Sequence, residues 1–489
     1  MTRRAPPLEI NSRQPTTEPS VHRSHHRWTG WLVFHVVCAA LGGCRALPDV
    51  QLLRTTLPLS SSNVPVDIHS PEGMVSRAAR VRVTRQLAEV GDTALLDYHL
   101  AAMQDIGAPP LLTGNSVQLL IDGPRTYQAM FAAIENARRY IFVESFIFEE
   151  AVQGDRRLSA LLSDASRRGV RVYVIYDAVG SLTTKQEFLE SLRDENIALC
   201  VFNPLNPLDD RFSGVNHRDH RKIVVVDGEQ AFAGGINFSQ AYRLASRQIK
   251  GRGFSKQQAI DQGWRDTHIG IRGTGAMHLE KLFRETWARS ECEGEISPAP
   301  VETAGAGETL VQIVASTPED ERNVIYATML SVITYAQRSV DVTMAYFVPD
   351  DALENALKDA AKRGVKVRLI LPAYSDFSGV FHAGRAHYDA LLVSGVQLYE
   401  LESAFLHSKS IVVDGIWSSI GSTNFDWRSF IHNDEISVCV IDEGFAAEMT
   451  RMFDADLGES REITLEAWRD RGLRQRLKEW LWLPLQYWL

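Results

Sequence analysis

The feature that most constrains the fold is a short motif that occurs twice in register. Residues 216–228 have the sequence NHRDHRKIVVVDG, and residues 406–415 have the sequence LHSKSIVVDG. Both contain histidine, any residue, lysine, four further residues, aspartate and glycine, and in each copy an asparagine follows the histidine by seventeen residues. One copy would be typical of a solvated strand end. Two copies in register over eighteen residues indicate an internal repeat.

The agreement continues upstream of each motif. Residues 158–177 align without gaps with residues 353–372. In both segments, apolar residues at helical spacing lead to two basic residues and a glycine, which is the expected end of a helix, and a β-branched run follows. The order strand, helix, strand, loop and histidine–lysine strand predicts an α/β fold with a largely buried sheet.

Size and composition narrow the class of protein. At 489 residues, with 45% hydrophobic and 23% charged residues, the chain is long enough for two or three globular domains. The formal net charge of −9 argues against a general nucleic-acid binder, although an anionic substrate still fits a locally positive cleft. The five cysteines are scattered without a C-x-x-C pair, so neither a zinc site nor a disulfide framework is expected.

The N-terminal segment, residues 1–44, differs in character from the rest. A polar stretch precedes the apolar run WLVFHVVCAALGGC at 31–44, which is too short for a comfortable transmembrane helix. The pattern predicts a signal peptide or membrane anchor, and LGGC resembles a bacterial lipoprotein cleavage box with Cys44 as the lipidated residue. We therefore expect a membrane-associated bacterial protein, exported as a lipoprotein that faces the periplasm. An uncleaved anchor or a buried helix is the alternative.

The remaining chain divides where its composition changes. Residues 45–115 are expected to be mainly helical, and residues 116–292 and 309–460 hold the two copies of the repeat. The segment 293–308 is rich in proline, glycine, alanine and glutamate, as is typical of a linker. The tail, 461–489, is basic and then aromatic, which predicts a helix. Such a helix suits a membrane interface, and packing against the protein body explains it equally well.

The paired motifs, each followed by a glycine-rich turn and an asparagine, resemble the phospholipase D superfamily. The finer similarity is to its bacterial cardiolipin synthase branch, over residues 115–489, and rests on NHRDHRKIVVVDG, GGIN, WRDTHI, AYFVPDD, LHSK and NDE. The resemblance implies two tandem phospholipase D-like α/β/α domains with pseudo-twofold symmetry and one shared active site between them. Typical members begin with two membrane helices, whereas this chain has at most one short apolar segment.

The chemistry of phosphodiester exchange explains why these residue types occur in duplicate. Neutral imidazole can attack phosphorus and leave again, while a second, protonated imidazole gives a proton to the leaving alcohol. Lysine ammonium and asparagine amide groups can hold the non-bridging oxygens in place of a metal. The catalytic candidates are therefore His220, Lys222, His407 and Lys409, and the phosphate-binding candidates are Asn237 and Asn424. No metal and no other cofactor is implied.

The resemblance also implies a division of labour. The first histidine is the usual nucleophile in the family, so we expect His220 to attack phosphorus and His407 to act as general acid and base. The residues alone leave the reverse assignment open. Asp266 and Glu435 occupy the places where the family carries an acidic residue that orients a histidine.

Other ionisable residues near the motifs are given structural interpretations. Asp227 and Asp414 are expected to pair with backbone or cations at the strand end, because they lie five residues beyond the lysines. Three further residues of the first motif are expected either to be solvated or to contact the motif residues without reaching the substrate, namely His217, Asp219 and Arg221.

The predicted function is a phosphatidyl transferase of the cardiolipin synthase type. It would convert two phosphatidylglycerol molecules into cardiolipin and glycerol through a phosphohistidine intermediate. The expected partners are a phosphatidylglycerol-like phospholipid and a membrane surface, without nucleic acid, and the chain is expected to act as a monomer. The alternatives are a hydrolytic phospholipase D that releases phosphatidic acid, a phosphodiesterase or nuclease, and a binding protein that has lost activity.

Overall fold

The computed structural model describes residues 47, 67–76, 83, 94–209, 211–212, 214–246, 263–294, 296 and 305–488. The predicted signal segment with Cys44 lies outside these residues, as do residues 295 and 297–304 of the predicted linker. No helix among the described residues is long and apolar enough to cross a membrane.

The first half of the chain alternates strands and helices. Before the repeat come β1 Ile68–Ser70, β2 Gly73–Met74 and α1 Ala94–Asp105. The strands that follow are β3 Leu111–Ile121, β4 Tyr140–Ser145, β5 Val152–Gln153, β6 Arg156–Arg157, β7 Arg171–Asp177, β8 Ala198–Phe202, β9 Arg218–Asp219, β10 Lys222–Val226, β11 Gln230–Gly234, β12 Trp264–Arg265 and β13 Thr267–Arg272. The helices between and after them are α2 Asp122–Glu135, α3 Leu158–Arg167, α4 Gln186–Arg193 and α5 Thr274–Arg289.

The second half repeats this order. Its strands are β14 Thr309–Ser316, β15 Ser339–Met344, β16 Lys366–Pro372, β17 Gln397–Leu401, β18 Phe405–Leu406, β19 Lys409–Val413, β20 Trp417–Gly421, β21 Asn433–Ile441 and β22 Ser460–Ile463. Its helices are α6 Val324–Tyr335, α7 Asp351–Lys362, α8 Ser378–Ala386, α9 Tyr388–Val393, α10 Trp427–Ile431, α11 Glu443–Leu457, α12 Leu465–Arg469 and α13 Leu473–Trp482. A 3-10 helix, Leu483–Trp488, ends the described chain.

The strands of the two halves are ordered alike, which confirms the predicted α/β fold. In the first half the pairing runs β8–β7–β4–β10–β11–β13–β3, with β4, β7 and β8 parallel and the remaining pairs antiparallel. In the second half it runs β17–β16–β15–β19–β20–β21–β14 with the same directions. Pairing of β3 with β14 joins the two into one large mixed sheet.

The histidine–lysine strands lie near the middle of each half. All five residues of β10 and all five of β19 are buried, as expected for apolar runs that are covered on both faces. The helices that precede the parallel strands end where the sequence predicts, because Gly169 and Gly364 adopt φ values of 87° and 93°. A residue with a Cβ is disfavoured in this left-handed conformation.

Three apolar clusters hold the sheet and helices together. One belongs to the first half, and another belongs to the second half and includes Leu95 and Leu100 of α1. The third lies between the halves, where Ile223 and Val225 of β10 share a cluster with Val438 of β21. Because this core is common to both halves, the two histidine strands are held in one body.

One disulfide joins the end of the first half to its sheet. Cys200 in β8 is bonded to Cys292, which follows α5, with a Cα–Cα distance of 5.5 Å. The expectation that the cysteines form no disulfide was wrong at this pair. The two residues are 92 positions apart and show no recognisable spacing, so only the packing of α5 on the sheet brings them together.

Candidate active site

The two motif histidines are buried at equivalent positions of the two halves. His220 and His407 are 8% and 7% exposed, and each stands two residues before the lysine that begins its strand. Alternation along a strand places residues i and i+2 on the same side, so each lysine accompanies its histidine. Lys222 Nζ donates to the carbonyl of His220 at 2.5 Å, and Lys409 Nζ donates to that of His407 at 2.5 Å.

Each histidine is held by backbone from the opposite half. Strand β9, immediately before His220, pairs in parallel with the start of β21, and the His220 amide donates to the Asp434 carbonyl at 2.9 Å. Strand β12 pairs in parallel with β18, immediately before His407, and the His407 amide donates to the Arg265 carbonyl at 2.8 Å. The two short pairings are pseudosymmetric counterparts, and each fixes one histidine against the other half.

These two pairings between the halves also determine which carboxylate faces which imidazole. His220 Nδ1 lies 2.9 Å from Glu435 Oε1 and 3.1 Å from Oε2, although Glu435 is 215 residues away in the second half. His407 Nδ1 lies 2.7 Å from Oδ2 of Asp266, which belongs to the first half. Both carboxylates are fully buried. With Nδ1 engaged in each ring, Nε2 is the nitrogen available to a substrate.

Burial sets the protonation of the histidines. It lowers the pKa of His220 to about 4, against the opposing influence of Glu435 and together with that of Lys222. Burial also lowers the pKa of His407, followed by the repulsion of the Lys409 ammonium, against the attraction of Asp266. Both imidazoles are therefore neutral in the free site at neutral pH.

The lysines and the carboxylates respond to the same environment. Burial lowers the pKa of Lys222 to about 7 and that of Lys409 to about 8, so neither lysine holds its proton strongly before an anion binds. Burial acts to raise the pKa of Asp266 and of Glu435, but the adjacent histidine and lysine groups outweigh it, and both pKa values are lowered. A phosphodiester anion would favour the charged form of both lysines.

Aromatic rings line both histidines. The ring of Phe146 meets His220 edge-on at 5.0 Å between centroids, and that of Tyr346 meets His407 at 6.4 Å. Lys222 Nζ also lies 5.2 Å from the centroid of the Phe146 ring. With the Trp264 ring, 5.1 Å from that of His407, these rings contribute to the desolvation of both imidazoles.

The two asparagines are buried beside the motif strands. Asn237 Oδ1 accepts from the Ile147 amide at 3.1 Å, which orients its side-chain amide. Asn424 Oδ1 has no hydrogen-bond partner, and its Nδ2 is 3.5 Å from Ser429 Oγ.

Tyr242 is a site residue that the motif comparison missed. Its hydroxyl lies 3.0 Å from His407 Nδ1 and donates to the Gly235 carbonyl at 3.5 Å. Tyr242 follows Asn237 by five residues, and the residue five positions after Asn424 is Ser429. The repeat therefore carries different residues at one position next to the chemistry. A comparison of the two halves at this point would have found the difference.

Asp227 and Asp414 lie at the far end of the motif strands. The carboxylate of Asp227 accepts from the amides of Arg138, Arg139 and Tyr140 at 2.7 to 3.0 Å. Asp414 accepts in the same way from Gln337, Arg338 and Ser339 at 2.7 to 2.8 Å. The structure gives both aspartates backbone partners of the kind that the structural interpretation requires.

A buried charge network supports the first motif. Asp219 and Arg221 are 0% and 1% exposed, so they are not solvated. Arg221 donates from Nε to the Glu435 carbonyl at 3.2 Å and from Nη2 to the Ser316 carbonyl at 2.9 Å, which ties the first motif to the second half. The sequence pattern allowed a supporting role for Arg221 but could not identify its partners, which are 95 and 214 residues away.

One group of side chains in the described part of the chain has the geometry to hold a metal ion. It consists of His217, Glu319 and Asp434, whose ligand atoms lie within 4.8 Å of one another. The carboxylate of Asp434 already faces two guanidinium groups, those of Arg289 and Arg221. Because its charge is matched by these arginines, the group carries no argument for a metal.

A pair of buried histidines, each accompanied by a lysine and oriented by a carboxylate from the other half, is the arrangement of the phospholipase D superfamily. A family model described as "Cardiolipin synthase, PLD-like domain" matches residues 130–246 and 329–457. The chain is 36% identical over 382 residues to cardiolipin synthase A of Pseudomonas aeruginosa (strain LESB58), which covers 78% of this chain and 74% of that protein. It is 35% identical over 377 residues to a cardiolipin synthase of Geobacillus kaustophilus (strain HTA426), with coverages of 76% and 72%.

The fold agrees with these relatives. A crystal structure of phosphatidylserine synthase from Haemophilus influenzae Rd KW20 superposes with a TM-score of 0.59 and 11% identity, over 80% of this chain and 100% of the other. At that identity the likeness concerns the fold alone. The family match and the relatives place the chain in the cardiolipin synthase family with phospholipase D-like domains, a family of phosphatidyltransferase enzymes.

Proposed function

We propose that the protein joins two phosphatidylglycerol molecules into cardiolipin and releases glycerol. The observation that carries the proposal is the exchange of carboxylates between the halves, which leaves Nε2 of both His220 and His407 available in a single buried site. The named relatives support the substrate class, since they are cardiolipin synthases.

The first step transfers a phosphatidyl group to the enzyme. Neutral His220 attacks the phosphorus of one phosphatidylglycerol through Nε2, and the bond between phosphorus and the glycerol oxygen breaks. His407, protonated once the anionic phosphodiester is bound, gives its proton to the departing glycerol. Lys222 and Lys409 hold the non-bridging oxygens, with Asn237 and Asn424 as further donors.

The second step reverses these roles. His407, now neutral, takes the proton from a hydroxyl of the second phosphatidylglycerol, and that oxygen attacks the phosphohistidine. The bond between phosphorus and His220 breaks and cardiolipin forms, so atoms and charge balance without a metal or another cofactor. Residues 116–292 and 309–460 act as the two domains of one site, which a single chain completes as a monomer.

Product analysis of the purified chain with phosphatidylglycerol vesicles tests this proposal. We expect cardiolipin and glycerol in equal amounts, and neither product from His220→Ala or His407→Ala. His278→Ala, which changes a histidine on α5 that contacts none of the motif residues in the structure, serves as the matched control and should retain activity. Phosphatidic acid as the main product would instead establish a hydrolytic phospholipase D, because water would have captured the intermediate.

We also infer that the enzyme works at a bacterial membrane, exported as a lipoprotein through Cys44. The disulfide between Cys200 and Cys292 supports an oxidising compartment such as the periplasm. Metabolic labelling with fatty acid, followed by membrane fractionation, tests the anchor in cells that express either the native chain or Cys44→Ala. The native chain should incorporate labelled fatty acid and the variant should not, whereas equal labelling would reject lipidation at this residue.

A further inference from the structure

The C-terminal helix α13 is oriented with its polar side toward the protein. Glu479 is 2% exposed and accepts from Arg471 Nη2 at 2.8 Å. The opposite side presents apolar side chains to the outside, and their exposed fractions are 81% for Leu473, 53% for Leu477, 69% for Trp480 and 54% for Leu481. A surface helix of a water-soluble protein normally has the reverse arrangement.

Packing of the tail on the protein body does not account for this outer side. Trp482 lies in the apolar cluster of Val348 and Val380, and the ring of Tyr487 lies 5.3 Å from that of Trp427. These contacts use the inner side of the tail and fix its position. The outer apolar side chains are spaced at i, i+4, i+7 and i+8 and form a stripe. Only a partner outside the described chain could shield this stripe from water.

The charged side chains that α13 itself carries on either side of this stripe are all positive. Arg474, Arg476 and Lys478 are exposed on α13, and the one acidic residue between positions 471 and 489 is the inward Glu479. An exposed apolar stripe with tryptophan and flanking cations is typical of a helix that lies in the headgroup region of an anionic bilayer. A neutral or cationic partner surface would not match this combination.

The tail also lies beside the active site. Tyr346, whose ring is 6.4 Å from that of His407, packs against the same small apolar cluster as Trp482. On the other side, the ring of Tyr487 is 6.2 Å from that of His432, whose carbonyl accepts from the Arg218 amide of β9. A surface that anchored the outer side of α13 would therefore hold the lipid headgroups close to the site.

We propose that Leu473, Leu477, Trp480 and Leu481, with the three flanking cations, form a docking face for an anionic phospholipid bilayer. This inference rests on the proposed function, because it assigns the surface through which that site reaches a lipid substrate.

Photo-cross-linking of the full chain on vesicles tests the docking face. Leu481→p-benzoylphenylalanine should form a lipid adduct on vesicles of equal parts phosphatidylglycerol and phosphatidylcholine, and a lesser one on phosphatidylcholine alone. Leu208→p-benzoylphenylalanine is the matched control, because Leu208 is also an exposed leucine, at 91%, but lies in a loop of the first half. It should form no lipid adduct.

A charge variant measures the consequence for turnover. The pair Leu477→Glu and Trp480→Glu places two carboxylates in the docking face, and we expect at least a tenfold loss of turnover on phosphatidylglycerol vesicles, because burying one such side chain contributes a factor of about ten or more. Leu208→Glu should leave that turnover unchanged.

Three results would overturn the inference. They are the absence of a lipid adduct at position 481, a protein–protein adduct there that indicates a second copy of the chain as the occupant, and unchanged turnover in the double variant. The cross-linking readout does not depend on catalysis. A lipid adduct at position 481 without cardiolipin formation would reject the proposed reaction and leave the docking face standing.

Discussion

Exchange of the carboxylates predicts that Asp266→Asn disables the histidine of the other half. The substitution keeps the shape of the side chain and removes a fully buried charge whose Oδ2 is 2.7 Å from His407 Nδ1. Two unit charges about 4 Å apart at an effective dielectric constant of about 20 interact by about 4 kcal/mol, which corresponds to about 10³ in rate when the imidazolium forms. Glu435→Gln should cause a loss of similar size through His220.

The two variants can be separated with an activated leaving group. A phosphatidyl ester of p-nitrophenol needs no proton on its leaving oxygen, so His407 is dispensable for the first step. In a stopped-flow experiment, Asp266→Asn should release a near-normal burst of nitrophenolate and then turn over slowly. Glu435→Gln should slow the burst itself, because it impairs the attacking His220. Thermal melting of both variants controls for loss of the fold.

Two outcomes would contradict this reasoning. A lost burst in Asp266→Asn with a retained burst in Glu435→Gln would make His407 the nucleophile. Equal bursts in both variants would mean that the carboxylates do not act on different histidines. A double-mutant cycle gives an independent check, since Asp266→Asn should add little to the effect of His407→Ala but should add fully to that of a distant substitution.

Further predictions concern pH, stability and metals. The value of kcat/KM should fall below about pH 4, because His220 gains a proton there and cannot attack. It should also fall above about pH 7, because Lys222 loses its charge there. The alkaline limb of the kcat profile should lie at higher pH, because the bound phosphate anion favours the protonated lysine. Asp414→Ala should lower the free energy of unfolding by about 2–4 kcal/mol, since three backbone amides lose their acceptor, and Asp414→Asn by less, as thermal melting would measure. Tyr242→Phe should reduce kcat about tenfold, as expected for one lost hydrogen bond next to His407, with little change in the melting temperature. Exhaustive chelation should leave activity intact, and an enzyme that EDTA silences and one divalent ion restores would refute the metal-free mechanism.

Contiguous segments of the sequence carried most of the fold. The buried strands β10 and β19, and the helix ends at Gly169 and Gly364, depend on residues that are close in the chain. Hydrophobic periodicity and left-handed glycine turns depend on residues within a short segment, and the repeat shows each of these patterns twice. For the same reason the histidines, lysines and asparagines of the candidate site could be proposed from the repeat in the amino-acid sequence.

The sequence by itself determined that there are two histidine–lysine strands, and the family resemblance pointed to Asp266 and Glu435 as candidates to orient the histidines. Only the tertiary structure decided that each carboxylate serves the opposite half. The register of β9 on β21 brings together a histidine and a carboxylate that are 215 residues apart, and the register of β12 on β18 does the same for a pair 141 residues apart. The disulfide and the outward apolar side of α13 were likewise decided only by the tertiary structure. Composition states which residues a segment contains, but the direction in which each one faces depends on packing between distant parts of the chain.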